Sequence, residues 1–234
     1  MKHTPLSLPM TRTEQFWGIG FLMVQQLMLS RILWLLPLSP AVTNFLYAAL
    51  SFVAVLWIFF RFWTESLKNF SRKMGLFLWR ILLSYAAYTV ISELFGQLLY
   101  PLFPDCFAAT EAGFVLKTPN DRTIAALLKE NFVLTALCAV VLLPPVEEIL
   151  HRGVVFGGLY AKSPVAAYLV SAALFSIIHV ADYLGGDPVL LFLSFLGYLP
   201  AGLLLARLYK ETDNIYAPIL MHMAINAVAL FDLR

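Results

Sequence analysis

Charged residues are scarce in this sequence. Asp, Glu, Lys and Arg make up 13% of its 234 residues, while 61% are hydrophobic. Soluble domains carry about 25% charged residues, so the polar groups present here could not cover a surface that faces water. The composition therefore excludes an ordinary soluble protein with a large core and predicts an integral membrane protein.

Other common features are also missing. The two cysteines, Cys106 and Cys138, lack the spacing of metal ligands, and they lie in a loop and in an apolar run, so no disulfide is expected. The sequence has no basic patch with interleaved aromatic residues, which argues against a nucleic-acid partner. The apolar run from Phe16 is too long for a signal peptide and has no small-residue cleavage site, so a retained span is predicted.

Long apolar runs take the place of the missing charge. They indicate about seven membrane spans, at roughly 16–36, 41–60, 74–102, 132–160, 164–180, 189–208 and 215–231. The predicted fold class is therefore all-α, a polytopic transmembrane helical bundle. Residues 1–119 hold the first three spans and a loop, and residues 120–234 hold a core of four spans.

The connecting loops differ in charge. The basic residues of the loop at 61–80 are Arg61, Lys68, Arg72, Lys73 and Arg80. By the positive-inside rule this loop and the N-terminus are expected in the cytoplasm, with the C-terminus outside.

The loop at 103–131 is mixed in character. Residues 121–129 within it are predicted to form a short amphipathic helix on the membrane surface. Asn120 or Asp121 is the expected N-cap of this helix.

A cluster of polar residues interrupts the fourth span. Glu147, Glu148, His151 and Arg152 follow the proline pair 144–145. A single charge at the bilayer centre costs about 2.5–3.5 kcal/mol on insertion scales. These side chains must therefore pair, line a cavity or carry out chemistry.

The two glutamates are predicted to have different roles. Glu148 and Arg152 are four residues apart on one helix face, with the acid N-terminal, which favours a structural ion pair. Glu147 is rotated by about 100° from Glu148 and cannot share that pair. The prolines before it kink the helix and leave room for water, and a carboxylate beside a water suits general-base catalysis.

His151 lies four residues after Glu147 and allows two interpretations. It is either an accessory site residue that tunes Glu147, or a histidine on the cytoplasmic side that faces water or a lipid headgroup. The sequence favours the second interpretation, because position 151 lies toward the cytoplasmic end of the span.

Two further histidines lie in other apolar spans. His179 belongs to the fifth span and His222 to the seventh, and together with Glu147 they are predicted to form one site. His222 and Asn226 are four residues apart, so both side chains face one point and both can donate hydrogen bonds. This arrangement suits an oxyanion, for which one donor is worth about 3–4 kcal/mol.

The depths of the two histidines conflict with a shared site. On ideal helices His179 lies near the outer end of its span and His222 lies within two turns of the inner end, a difference of about 10 Å. Either one of these spans is shifted, tilted or broken, which is allowed where a helix lines a cavity, or the span count is wrong. The site is expected at mid-depth, in a water-filled cavity reached from one side.

Three motifs on three separate apolar helices carry a family resemblance. They are Glu147-Glu148-x-x-x-Arg152, Phe175-x-x-x-His179 and His222-x-x-x-Asn226. In this order they resemble the CAAX prenyl protease and bacteriocin-processing family (CPBP, or Abi) of intramembrane endopeptidases. The resemblance covers about residues 120–232, and the first three spans match only as generic membrane helices.

The resemblance implies roles for the catalytic residues. Glu147 is the base that activates a water molecule for attack on a peptide carbonyl, and His179 positions or polarises that water. His222 and Asn226 hold the oxyanion.

The other motif residues have supporting roles by the same resemblance. Glu148 and Arg152 form a structural pair, and Phe175 packs on the face that carries His179.

No cofactor is expected, and zinc is the alternative. Glu147, His179 and His222 would be its ligands, because one Glu and two His residues are an ordinary set for catalytic zinc.

The implied function is that of an intramembrane endopeptidase acting on a peptide or a lipidated protein at the membrane. Bacterial relatives process bacteriocin or pheromone precursors or act in self-immunity, and eukaryotic relatives trim prenylated CAAX proteins. The compact length and short loops favour a bacterial plasma membrane protein. The alternatives are a non-catalytic membrane scaffold or self-immunity protein, and a proton-coupled transporter using Glu93 or Glu147, which the lack of an internal repeat disfavours.

Overall fold

The computed structural model describes residues 6–72, 74–110 and 113–233. Within these ranges the chain forms a series of α-helices and one small antiparallel hairpin. Lys73, one of the basic residues in the predicted 61–80 loop, lies outside the described residues.

The helices follow one another with short connections. They are α1 (Arg12–Leu33), α2 (Pro40–Ile58), α3 (Phe60–Arg72), α4 (Met74–Leu99), α5 (Pro119–Glu130), α6 (Phe132–Tyr160), α7 (Pro164–Ile178), α8 (Pro188–Thr212) and α9 (Tyr216–Asp232). The hairpin pairs β1 (Phe107–Thr110) with β2 (Gly113–Leu116).

The long apolar helices agree with the predicted spans. In the described part of the chain, α1, α2, α4, α6 and α8 are long and apolar enough to cross a membrane, and α7 and α9 are shorter apolar helices. Together they occupy the seven predicted positions, so the all-α polytopic bundle is confirmed. The number of helices that cross the membrane stays a prediction, and so does the division at residue 119.

The segment expected to be a basic loop is largely helical. α3 begins directly after Phe59, where the backbone leaves the helical region (φ −110°, ψ 25°). Phe62, Trp63 and Ser66 are buried on one face of α3, and Lys68 is exposed. The loop prediction was wrong because the buried residues at 62, 63 and 66 recur with the spacing of one face of an amphipathic helix.

The hairpin lies in the 103–131 segment, where a loop and one helix were predicted. Gly113 begins β2 with a φ of 141°, a conformation that side-chain-bearing L-residues rarely adopt. The ring of Phe114 stacks on Tyr100 with the centroids 3.8 Å apart, which fixes the hairpin to the chain just beyond α4. Two strands of four residues are too short to show a clear alternation in the sequence.

The amphipathic helix predicted at 121–129 is present as α5, but it begins earlier. Its N-cap is Thr118, whose hydroxyl oxygen accepts the backbone N–H of Asp121. The predicted caps, Asn120 and Asp121, are wrong because Pro119 already occupies the first helical position, where its missing N–H costs nothing.

The main core surrounds the second half of α6. Ile149, Leu150 and Phe156 are fully buried and pack with Val55 of α2 and Ile219 of α9. α4 is mostly exposed, because only 6% of the residues in its apolar stretch are buried. Such an apolar exposed helix is expected to face lipid.

Arg61 connects α3 to the start of α1. Its Nε donates to Oε1 of Glu14 over 3.2 Å, and its Nη1 pairs with Glu65. Glu14 is buried and also accepts the backbone N–H of Thr11, which caps α1. One arginine therefore neutralises a carboxylate that has little contact with solvent.

We expect Arg61→Met to destabilise the fold, because it leaves the buried Glu14 carboxylate without its cation. Loss of one partner of a charged hydrogen bond costs about 1–3 kcal/mol. Thermal unfolding of the purified protein in detergent measures the effect. Lys68→Met removes the same charge from an exposed position of α3 and is the matched control; an equal loss in both variants would contradict the argument.

Candidate active site

The helix that carries the polar cluster is irregular on both sides of it. α6 contains π-helical turns at Leu137–Leu142 and Ile149–Phe156. In the first of these the N–H of Leu143 donates to the carbonyl of Cys138, five residues back. The next bond with this five-residue spacing would join the N–H of residue 144 to the carbonyl of Ala139. Proline has no N–H, so Pro144 cannot donate to this carbonyl.

Asn226 of α9 supplies the missing donor. Its Nδ2 donates to the carbonyl oxygen of Ala139 over 2.8 Å. The proline kink predicted from the sequence is thus a change of helical register, and the carbonyl it frees is bound by a side chain of another helix. Contacts of this kind are typical of irregular helices in membranes, where no water is available for an orphaned carbonyl.

The ion pair predicted from the spacing of Glu148 and Arg152 is present. Both side chains have no exposed surface, and Nη1 of Arg152 lies 2.9 Å from Oε1 of Glu148. Nη2 of Arg152 donates to the carbonyl of Gly202 in α8 over 3.1 Å, and its guanidinium lies 4.5 Å from the ring centroid of Phe175 in α7. Oε1 of Glu148 also lies 2.8 Å from Nδ1 of His222 in α9.

Glu147 meets both predicted histidines. Its Oε2 lies 3.9 Å from Nε2 of His179 and 3.8 Å from Nε2 of His222. Among the described residues this oxygen has no hydrogen-bond partner, although it is buried. Only 18% of the Glu147 side-chain surface and 16% of the His179 side-chain surface are exposed, so the cluster is nearly closed to solvent.

The shared position of the histidines removes the predicted depth conflict. α7 has 15 residues, a length of about 22 Å at 1.5 Å per residue, which is less than the hydrocarbon core of about 30 Å. His179 is the C-cap of this short helix. The helix is therefore too short to cross this layer unless it is accompanied by the turns after it, and His179 at its end lies as close to Glu147 as His222 does.

The hydrogen bonds define the tautomers of the histidines. A carbonyl oxygen only accepts, so Nδ1 of His179 carries the proton that it donates to Phe175, over 2.7 Å. Nδ1 of His222 likewise donates to the carboxylate of Glu148. In their neutral forms both rings therefore turn an unprotonated Nε2 toward Glu147.

His151 is not where the sequence interpretation favoured it. The side chain is buried, with 1% of its surface exposed, and does not face water or a headgroup. Its Nδ1 donates to the backbone carbonyl of Glu147 over 2.7 Å, and its ring meets Phe175 edge to face. The prediction was wrong because the second half of α6 is covered by the core, and position along the helix alone did not reveal this.

Phe175 lies at the centre of the cluster, as a packing residue should. Its ring centroid is 4.6 Å from that of His179 and 5.5 Å from that of His222. Asn226 is one turn away from His222 and contacts Ala139 as described. An amide nitrogen carries two hydrogens, so one N–H of Asn226 remains after the bond to Ala139.

Several residues of the site carried no signal in the sequence. Gly202 accepts from Arg152, and a Cβ at this position would lie 2.9 Å from the Cα of Ala172, so a glycine lets α7 and α8 approach closely. Ala139 of α6 supplies the carbonyl that Asn226 binds. The ring of Tyr198 in α8 packs against His179 with the centroids 4.4 Å apart.

The spacing of Glu147, His179 and His222 differs from that of the ligands of a zinc ion. Ligands about 2.0–2.1 Å from a tetrahedral zinc ion lie roughly 3.3 Å from one another, whereas Nε2 of both histidines is 3.8 Å or more from Oε2 of Glu147. In the part of the chain that the structure describes, no group of three His, Cys, Asp or Glu side chains is arranged to hold a metal ion. The set as it stands does not fit zinc.

Part of the chain is similar to known proteins. Residues 129–228 match the family model of Rce1-like proteins, described as type II CAAX prenyl endopeptidase Rce1-like. The Putative membrane peptidase YdiL of Bacillus subtilis (strain 168) is 37% identical over 84 residues, which are 36% of this chain and 30% of that protein. The chain thus covers less than a third of the length of this curated relative. No solved structure matches the chain.

The ion pair makes a thermodynamic prediction. Removing one partner of a buried pair costs about 3–5 kcal/mol, because the other charge stays buried and unpaired. We expect Glu148→Gln and Arg152→Met each to lower the thermal unfolding temperature strongly, and the double variant to lose less than the sum. Additive losses in a double-mutant cycle would argue against the pair.

The bond between Asn226 and the Ala139 carbonyl makes a second prediction. Asn226→Ala is expected to cost about 1–3 kcal/mol of stability, the desolvation penalty of an unsatisfied carbonyl. In a Pro144→Ala background the cost should be smaller, because residue 144 then offers its own N–H to Ala139. The free energy of unfolding of the four proteins decides this, and an unchanged cost in the alanine background would refute the assignment.

Proposed function

We propose that the protein is an intramembrane endopeptidase that hydrolyses a peptide bond with a glutamate-activated water, because residues 129–228 match the model of the Rce1-like, type II CAAX prenyl endopeptidase family. Its apolar helices and its similarity to that family support an integral membrane protein. The position of Glu147 carries the proposal, because its free oxygen faces two imidazole nitrogens in a nearly closed cluster.

The distances suit one bridging water molecule. A water that makes hydrogen bonds of about 2.8 Å to Oε2 of Glu147 can also reach Nε2 of His179 and of His222, which lie 3.9 and 3.8 Å from that oxygen. This water would be held by three groups at once, away from bulk solvent. Such positioning is the main requirement for attack on a bound carbonyl.

We propose that the two histidines have different roles toward the water. A water molecule has two hydrogens, whereas the Glu147 carboxylate and two neutral Nε2 atoms are three acceptors, so a water held by all three groups needs one of them as a donor. His222 is the proposed donor, because its Nδ1 already donates to the Glu148 carboxylate and Glu147 lies on its other side.

The reaction follows from these roles. Glu147 and neutral His179 accept the two hydrogens of the water, whose oxygen attacks the carbonyl carbon while Glu147 takes its proton. His222 donates from Nε2 to the developing oxyanion, together with the remaining N–H of Asn226. Glu147 then returns the proton to the leaving nitrogen as the tetrahedral intermediate collapses.

The substrate proposed for this site is a membrane-associated peptide or lipidated protein. The family is named for cleavage of prenylated CAAX proteins, and an apolar protein with an intramembrane site suits a chain held at the bilayer. The basic residues of the 61–80 segment support a cytoplasmic N-terminus, and the similarity to a membrane peptidase of Bacillus subtilis supports a bacterial plasma membrane.

We expect Glu147→Gln and His179→Ala to abolish cleavage while the protein still folds. General-base catalysis contributes about 10²–10⁴-fold, so the rate should fall by at least about 100-fold. The assay uses the full chain in liposomes, with a quenched-fluorescence farnesylated CAAX peptide and a library of unmodified peptides as probes. Glu93→Gln is the control, because Glu93 bonds to Gln97 on α4 and belongs to a different helix. Cleavage by the Glu147→Gln protein would disprove the assignment, and so would an equal loss in the control.

Metal dependence is a separate prediction. If water is activated by Glu147 without a metal, purified active protein should contain less than about 0.1 equivalent of zinc, whereas a catalytic zinc site would hold about one. It should also keep its rate in 1,10-phenanthroline. Stoichiometric zinc, with loss of activity on chelation and recovery on zinc addition, would establish the alternative. In that case Glu147, His179 and His222 are the ligands to substitute.

A further inference from the structure

Tyr198 joins His179 to a helix that lies outside the three motifs. Its ring packs on the imidazole of His179 with the centroids 4.4 Å apart and the planes at 32°. Its hydroxyl oxygen lies 3.3 Å from Oγ1 of Thr118 and accepts from Nδ2 of Asn120 over 3.4 Å. The one side chain therefore contacts both His179 and the first turn of α5.

His179 needs such a contact because of its place in the chain. It is the C-cap of α7, where the helix ends, and the residues after it form turns. Its Nδ1 is held by the carbonyl of Phe175, but one hydrogen bond leaves the plane of the ring free to tilt. The ring of Tyr198 limits this tilt from a second helix, α8.

The first turn of α5 is itself fixed. Thr118 is its N-cap and accepts the N–H of Asp121, so its hydroxyl oxygen has a defined position. The Asp121 carboxyl belongs to the same first turn. Burial raises the pKa of this carboxyl above its usual value, whereas the bonds to Thr118 and the electrostatic effect of His179 act in the opposite direction.

A second tyrosine provides a comparison. Tyr183 lies in the segment after His179 and donates its hydroxyl to Oγ1 of Thr123 over 2.8 Å, which also ties α5 to this region. Among the described residues, the rings that contact His179 are those of Phe175 and Tyr198. Tyr183 therefore shares the link to α5 and lacks the contact with His179.

We propose that Tyr198 is a positioning residue for the reaction: its ring sets the plane of the His179 imidazole, and its hydroxyl anchors that ring to the N-terminal turn of α5. The proposal rests on the proposed function, in which Nε2 of His179 orients the attacking water. Docking of α5 against α8 then determines how well the water is aligned.

Kinetics of three variants test the role. Tyr198→Phe keeps the ring and loses the anchor, Tyr198→Leu loses both, and Tyr183→Phe removes the other hydrogen bond to α5. Misplacement of a reacting group by about 1 Å can cost about 100-fold. We expect kcat to fall by about 3–10-fold for Tyr198→Phe and by about 10–100-fold for Tyr198→Leu, with KM little changed.

The control and the thermal stabilities separate positioning from packing. Tyr183→Phe should keep kcat within about twofold, since misalignment of the water is the cause of the loss. A merely structural role for Tyr198 would lower the unfolding temperature and leave kcat per folded molecule unchanged. Unchanged kcat in Tyr198→Phe and Tyr198→Leu would overturn the proposal, and so would an equal loss in Tyr183→Phe.

A second measurement does not depend on peptidase activity. Diethyl pyrocarbonate modifies unprotonated imidazole nitrogens, and mass spectrometry of the peptide containing His179 gives the rate in the full-length protein. Removal of the covering ring should raise this rate at least about threefold in Tyr198→Leu, with a smaller rise in Tyr198→Phe and none in Tyr183→Phe, because a freer ring is more accessible. An unchanged rate in Tyr198→Leu and Tyr198→Phe would refute the contact.

The kinetic measurement and the modification measurement test different claims, so one can fail without the other. If the wild-type protein cleaves none of the probes, the proposed function is wrong, and the modification rates alone decide whether Tyr198 holds His179. If Tyr198→Leu does not fold, Tyr198→Phe retains the ring volume and decides the outcome in both assays.

Discussion

An ion pair without exposed surface lies where α6, α7, α8 and α9 meet. Arg152 contacts Glu148 in its own helix, the Gly202 carbonyl in α8 and the Phe175 ring in α7, and Glu148 contacts His222 in α9. A buried pair of this kind adds little net stability, yet a shift of any one helix leaves a charge uncompensated. The pair therefore specifies how the four helices pack. This packing in turn positions the neighbouring cluster of Glu147, His179 and His222.

Interruptions of regular α-helix place the reactive groups beside this ion pair. Pro144 cannot continue the π-helical bonds before it, and Asn226 binds the carbonyl of Ala139 that is left over. α7 stops at His179, and turns follow it. Because each break is satisfied by a group from another helix, the irregular backbone remains compatible with a surrounding of low polarity.

Much of the core could be predicted because its signals are local. The four-residue spacing of Glu148 and Arg152 is a property of one helix, and apolar runs define most helix positions. Burial of His151 and the contact of Tyr198 with His179 depend on how separate helices pack, which spacing along one helix does not encode. The cap at Thr118 was missed because the polar residues after it are equally good caps, and Pro119 decides between them.

The shortness of α7 has a consequence for the surrounding bilayer. A helix of 15 residues spans about 22 Å and is shorter than the hydrocarbon layer of about 30 Å. Where lipid lies against α7, such a hydrophobic mismatch is expected to thin the bilayer, at a cost of a fraction of a kcal/mol per Å. A headgroup region drawn inward toward His179 would shorten the path of a chain that moves from the interface to Glu147.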